Sequence, residues 1–209
     1  MIERAFATLP EVRVLLYAPT TRAPHRASSY AKMTLGRAML LSMMASRLKP
    51  DGRYDVSEIQ LLAYLLQKSG QPLGLTFSWR PSGPWAASLG RVLRDMEGIY
   101  TQGLEDGEDG LYLLPGAAVA ARAFLQEHAT ARQRVEHLHA LLQGSTGSRD
   151  LALLGRILWA AEQEDVVRTL PEAAIAVIYT QDAARNRYTA MDIRRVWASL
   201  YRSGWFSRG

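Results

Sequence analysis

The chain has 209 residues, 48% of them hydrophobic, which is enough to build a core and excludes wholesale disorder. It has no cysteine, which rules out disulfides, thiolate metal sites and a cysteine nucleophile. The net charge of +5 is unevenly spread: residues 1–50 carry eight Lys/Arg against two Asp/Glu, residues 51–121 carry five against nine, and residues 122–209 carry twelve against nine. No apolar run is long enough to span a bilayer, and charges interrupt the N-terminus where a signal peptide would be apolar. The expected compartment is the cytoplasm.

In chain order, Glu11–Tyr17 reads as a strand rich in β-branched and aromatic residues, and residues 18–33 have linker composition. A lone strand leaves its own edges unpaired, so it suggests the end of a preceding domain. Thr34 is a good N-cap for a helix from Leu35 to Leu48. Asp55 or Ser57 caps the next helix, whose Ile59, Leu62, Ala63 and Leu66 fall on one face. Leu73–Trp79 is expected to be a short strand, residues 80–84 a loop, and Trp85–Met96 a helix.

Two short β segments flank the polar turn at residues 105–110, predicting a hairpin. Ala117–Leu142 reads as a long helical stretch with a break near Ala129–Thr130. Further helices are expected over Asp150–Ala161, from Pro171 to about Ala184, and over Ala190–Arg202 with Thr189 as cap. The expected class is therefore mainly α with a few short strands and a hairpin, as one compact helical domain.

No phosphate-binding glycine loop occurs, and no nucleophile elbow. His137 and His139 point to different helix faces, so they do not make a metal pair. No catalytic, cofactor or metal residue is assigned. Two charged features remain. Arg185, Arg187, Arg194 and Arg195 surround a helix start and admit a helix-turn-helix reading for DNA. Conversely, residues 95–121 contain no Lys or Arg but hold Asp95, Glu97, Glu105, Asp106, Glu108 and Asp109, with Tyr100 and Tyr112 among them. Carboxylates interleaved with rings can imitate a nucleic-acid strand and dock in a cationic groove.

Several segments together resemble the C-terminal domain of DarG antitoxins, partners of DarT DNA ADP-ribosyltransferases. Lys32–Ala38 looks like the entry to its first helix. Glu58–Gln67 is similar to the signature E-I-Q-K-L-A-Y-F-L-Q and is followed by Gly70 and Leu73–Phe77. Gly83-Pro84-Trp85-Ala86 looks like a Y-G-P-Y-A loop, and Leu93, Met96, Glu97 and Gly98 resemble L-x-x-M-E-G. Leu113–Ala117, Glu172–Ile175, Tyr188-Thr189, Ile193, Trp197, Leu200 and Gly204-Trp205 are similar to its later segments. The sequence departs from those patterns at Leu61, Ser82, Trp85 and Ile99.

The resemblance implies that residues 1–31 are the last strand of a macrodomain plus a linker, and that residues 32–209 are the antitoxin domain. It implies binding to a DarT-type toxin that occludes the toxin's single-stranded DNA groove, with no enzyme activity, cofactor or metal, no membrane contact, no direct nucleic-acid binding and a monomer when toxin is absent. The ADP-ribose-removing activity of the family lies in the macrodomain. The partner-binding residues expected are Trp85, Glu97, Tyr100, Glu105, Asp106, Glu108 and Asp109. The other function considered is a DNA-binding module using the Arg185–Arg195 corner.

Overall fold

Thr34 opens the first helix, α1 (Leu35–Ser46), its hydroxyl accepting from the Arg37 amide at 3.4 Å. A helix start leaves its first amides without intrahelical partners, and a short hydroxyl side chain answers one of them. This computed structural model of the protein describes residues 32–47, 52–104, 110–143, 148–180 and 187–207. α1 is buried along most of its length, with Met39, Leu41, Met43 and Met44 fully so. Tyr54 in β1 (Arg53–Tyr54) donates its hydroxyl to the Met44 carbonyl, pinning the strand to the end of α1.

The second helix, α2 (Val56–Lys68), starts at Asp55, where Glu58 reaches back to the Asp55 amide at 3.3 Å. Ile59, Leu62, Ala63 and Leu66 are buried as their spacing requires. Leu61, Tyr64 and Leu65 are buried as well, so α2 has apolar neighbours around its whole circumference and runs through the core.

After α2 the chain is extended, exposure alternating residue by residue from Pro72 to Arg80. It forms β2 (Ser78–Arg80) and turns back as β3 (Gly83–Trp85), with Ser78 opposite Trp85, Trp79 opposite Pro84 and Arg80 opposite Gly83. Then come α3 (Leu89–Met96), β4 (Thr101–Gln102) and β5 (Leu111–Leu113). The β4 and β5 strands pair antiparallel, and β1 joins the other edge of β5. The remaining elements are α4 (Ala117–Gln126), α5 (Ala129–Gln143), α6 (Ser148–Gln163), a 3₁₀ turn (Asp165–Arg168), α7 (Pro171–Thr180), α8 (Ala190–Arg202) and a closing 3₁₀ turn (Trp205–Ser207). α1 packs on α2, α4 and α5, α2 packs on α6, and α6 packs on α7 and α8. The expected class, mainly α with a few short antiparallel strands, is what the fold has.

The hairpin region differs from expectation, the strand read over Leu73–Trp79 being Ser78–Arg80. Trp85 sits in a strand and not at a helix start, because Gly83, with φ of +117°, turns the chain back on itself where other residues would be strained. The long helical stretch breaks close to the expected place: α4 and α5 part at Glu127-His128, where the His128 ring bonds to the Phe124 carbonyl at 2.9 Å. The strand read at Glu11–Tyr17 and the linker lie outside the described residues. No helix among the described residues is long and apolar enough to cross a membrane.

Candidate functional site

The β2–β3 hairpin is the feature most heavily anchored for its size. A two-stranded hairpin is marginal in water by itself, so its position must come from elsewhere. Here α2 supplies it. Gln60 accepts from the Ala86 amide at 2.9 Å and donates to the Ala86 carbonyl at 3.1 Å, just beyond β3. Gln67, two turns along the same face, accepts from the Leu75 amide at 3.0 Å and donates to its carbonyl at 2.8 Å, before β2. Each amide side chain thus acts as one residue of a strand partner.

The tip of the hairpin is held from α6. Arg156 is 3% exposed and donates to the Pro81 carbonyl at 2.8 Å. Its guanidinium lies 5.0 Å from the Trp79 ring centre, and the ring of Trp159, one turn on, lies 5.5 Å from the same indole, centre to centre. Gly155 leaves room for this approach: a methyl there would stand 2.4 Å from Leu61 Cδ2 and 3.8 Å from Pro84 Cδ. Tyr64 and Phe77 continue the aromatic row inward at 5.2 Å. Trp79 therefore faces the protein. Ser78, Arg80 and Ser82 are exposed, and Trp85 is half-buried with the Arg80 guanidinium 4.8 Å above its ring.

Beyond this row lies a cleft of about 60 Å³ lined by Lys68, Leu158, Ala161, Glu162, Arg168, Trp205 and Phe206. Tyr64 donates its hydroxyl to one oxygen of Glu162, and Lys68 binds the other at 2.8 Å. Burial, and then Glu162 itself, raises the Tyr64 phenol far above its ordinary range, so it remains a donor. Arg168 is turned to the Ala161 carbonyl at 2.9 Å. Nucleotide sites run to hundreds of cubic ångströms, so this cleft is too small for one. Its charged groups tie the end of α2 to the end of α6. Among the described residues, no three His, Asp or Glu come together in a way that could hold a metal ion.

Of the residues expected from sequence to bind a partner, Trp85, Glu97 and Tyr100 are among the described ones. Glu105, Asp106, Glu108 and Asp109 lie outside the described residues. Glu97 does not present a free charge: its Oε1 accepts from the Gly103 and Leu104 amides at 2.8 and 3.1 Å, fixing the turn into β4. Tyr100 is half-buried, packed against the core, with its carbonyl accepting from Leu114 at 2.9 Å. Trp85 belongs to the hairpin.

The arginine corner is corrected too. Arg195 forms a two-pronged pair with Asp150 at 2.7 and 3.1 Å, and Arg194 pairs with Glu172 at 3.3 Å. Arg149 reaches across to Asp192 at 3.2 Å. These side chains join α8 to α6 and α7, so Arg149, Arg194 and Arg195 are each matched by a carboxylate. Arg185 lies outside the described residues.

Gln60, Gln67, Gly155, Arg156, Trp79 and Arg80 were not singled out from the sequence. One signal was present. Gln60 and Gln67 are polar residues seven apart in an otherwise apolar helix, hence on one face, and a buried amide needs partners.

No protein-family model matches the chain. It is similar to proteins named DNA ADP-ribosyl glycohydrolase: one from Thermus aquaticus, 31% identical over 172 residues, covering 78% of this chain and 47% of that one. Two others, from Mycobacterium bovis and Mycobacterium tuberculosis, are each 27% identical over 202 residues, covering 87% of this chain and 57% of theirs. The chain spans about half the length of the curated relatives it matches. The likeness relates it to DNA ADP-ribosylation. It also overturns two expectations. The relatives are named for a hydrolytic activity, so neither a toxin-neutralising module, nor a helix-turn-helix module, nor a protein without an enzymatic role is the reading they favour.

Proposed function

We propose that this chain works as part of a DNA ADP-ribosyl glycohydrolase, a hydrolase that takes ADP-ribose off DNA. In that reaction water adds across the glycosidic bond, releasing free ADP-ribose and unmodified DNA. The observation that carries the reading is the 31% identity to the Thermus aquaticus protein of that name, over 78% of this chain. The resemblance of residues 32–206 to the C-terminal region of DarG proteins supports it, since that region follows a macrodomain acting on the same modification. In bacteria such as those of the relatives, a DNA substrate places the work in the cytoplasm.

The test uses the native polypeptide in which this sequence occurs, purified from its own source. It is incubated with a single-stranded oligonucleotide carrying one ADP-ribose, and the products are weighed by mass spectrometry. Loss of the ADP-ribosyl mass from the oligonucleotide, with free ADP-ribose appearing, supports the reading. An oligonucleotide still modified after prolonged incubation with excess protein overturns it.

A further inference from the structure

We infer that the outer face of the β2–β3 hairpin, where Arg80 lies over Trp85, is a stacking platform for the bases of a single DNA strand. The inference deepens the proposal above and rests on it for the nature of the polymer.

Three observations converge here. The first is rigidity. Both arms of the hairpin are clamped by Gln60 and Gln67, and its turn is held by Arg156. A stacking surface held in place in advance loses little entropy when a base lands on it.

The second is what the outer face offers. Trp79 fills the inner face against Trp159 and Arg156, so the fold does not need a second tryptophan there. Trp85 nonetheless sits opposite Ser78 on the outward side, half-buried, with the exposed Arg80 over its ring. The guanidinium at 4.8 Å leaves no room for a base between it and the ring. A base stacking on Trp85 takes the place of Arg80, and the displaced guanidinium then lies within reach of the adjoining phosphate.

The third is charge. Residues 59–94 contain no Asp or Glu and contain Lys68, Arg80, Arg91 and Arg94. Arg80, Arg91 and Arg94 are exposed and form no ion pair with the described residues. Arg132, Arg149, Arg168, Arg194 and Arg195 are all paired with carboxylates. An unpaired Arg80 over an accessible indole, in a stretch of chain without carboxylates, matches a polymer of phosphates and π-faces. Duplex DNA hides its base faces inside the stack, which leaves the single strand.

The experiment is fluorescence anisotropy of an end-labelled, unmodified oligothymidylate titrated with the full chain at low and at moderate salt. Binding is expected, weaker at the higher salt. Trp85→Ala is expected to weaken it by about 10-fold or more, within the range for losing one base–aromatic stack, and Arg80→Ala to weaken it and to reduce its salt dependence, through the lost phosphate contact. Trp85→Phe, which keeps a ring, retains most of the affinity. Arg202→Ala, on α8 away from the hairpin, leaves it unchanged. Arg80 is exposed and its removal does not disturb the fold, so Arg80→Ala decides even if Trp85→Ala fails to fold. No binding by the unaltered chain, or equal binding by all variants, overturns the inference. The unmodified strand reads binding alone: strand binding lost in the variants without any ADP-ribose release sinks the hydrolase reading only, and release without strand binding at the hairpin sinks this inference only.

Discussion

Gln60 holds both backbone groups of Ala86 from the middle of a buried helix, at 2.9 and 3.1 Å. Gln60 is 1% exposed and Ala86 fully buried, so neither partner has water as an alternative. The pair does what a strand neighbour would do for one residue. It explains how a strand only three residues long, ending at Trp85, can stand beside α2 without a third strand to support it.

Gln60→Ala leaves a buried amide and a buried carbonyl unsatisfied, each worth about 1–3 kcal/mol. The expected loss is about 2–4 kcal/mol in urea unfolding. Gln67→Ala, whose partner Leu75 is only half-buried, is expected to lose about 1 kcal/mol because water can replace the amide. If the two variants lose the same amount, the hairpin does not depend on Gln60 in this way.

Gly155 presents a conflict of signs. In a helix, Ala is more stable than Gly by about 1 kcal/mol. Here the added methyl meets Leu61 Cδ2 at 2.4 Å, so the buried Leu61 side chain must shift within the packed α2–α6 contact. Gly155→Ala is therefore expected to destabilise by about 1–3 kcal/mol. In a Leu61→Ala background the obstacle is gone, and the same substitution becomes neutral or stabilising by up to about 1 kcal/mol. Additive effects in this double-mutant cycle would refute the close approach.

The local rules were legible in the sequence and the long-range ones were not. Thr34 and Thr189 cap their helices as their positions announce, and the Ile59–Leu66 spacing finds its buried face. The first arm of the hairpin lies in the segment read as a strand, but the return strand escaped because it is only three residues long and because Gln60 and Arg156 hold the hairpin from 26 and 75 residues away in the chain. The partners of charged side chains were hidden for a related reason. Glu97 is acidic in the sequence whichever way its carboxylate points, and only the fold shows it turned to the Gly103 amide. Arg195 looks free until α8 lies beside α6, which brings up Asp150 from 45 residues earlier.

Two tyrosines set the alkaline limit of the fold. Burial, with Glu58 nearby, pushes Tyr54 up to about 12, and burial together with Glu162 raises Tyr64 further. A folded-state value above the unfolded one, about 10, means that this stability is complete below pH 10 and is lost as pH rises through the folded value. At about pH 11 the folded chain is expected to show nearly two fewer phenolates than the unfolded chain, of its nine tyrosines, by absorbance near 295 nm. Tyr64→Phe removes one of the two slow-titrating groups and is expected to lose only about 0.5–1.5 kcal/mol at neutral pH, since Glu162 keeps its bond to Lys68. Full ionisation of the folded chain at that pH would place both phenols in water.

At the acid end His139 is the group to watch. It lies on α5 against α1, and burial lowers its value below the ordinary 6.5, with the Ser42 backbone and Glu136 pulling the other way less strongly. Its Nε2 is buried and makes no hydrogen bond with the described residues, so a proton added there would bring a charge with no acceptor. The unfolded chain takes up that proton more readily than the folded one. Stability from this group is therefore complete above the unfolded value and falls as pH drops below about 6.5. Melting temperature is expected to fall between about pH 7.5 and about pH 5.5, and to fall less in His139→Gln, which cannot titrate. Carboxylates contribute equally to both proteins over that range, so the difference between the two curves isolates the histidine. Parallel curves would show that His139 is as easily protonated in the fold as outside it, and that the α1–α5 contact tolerates the charge.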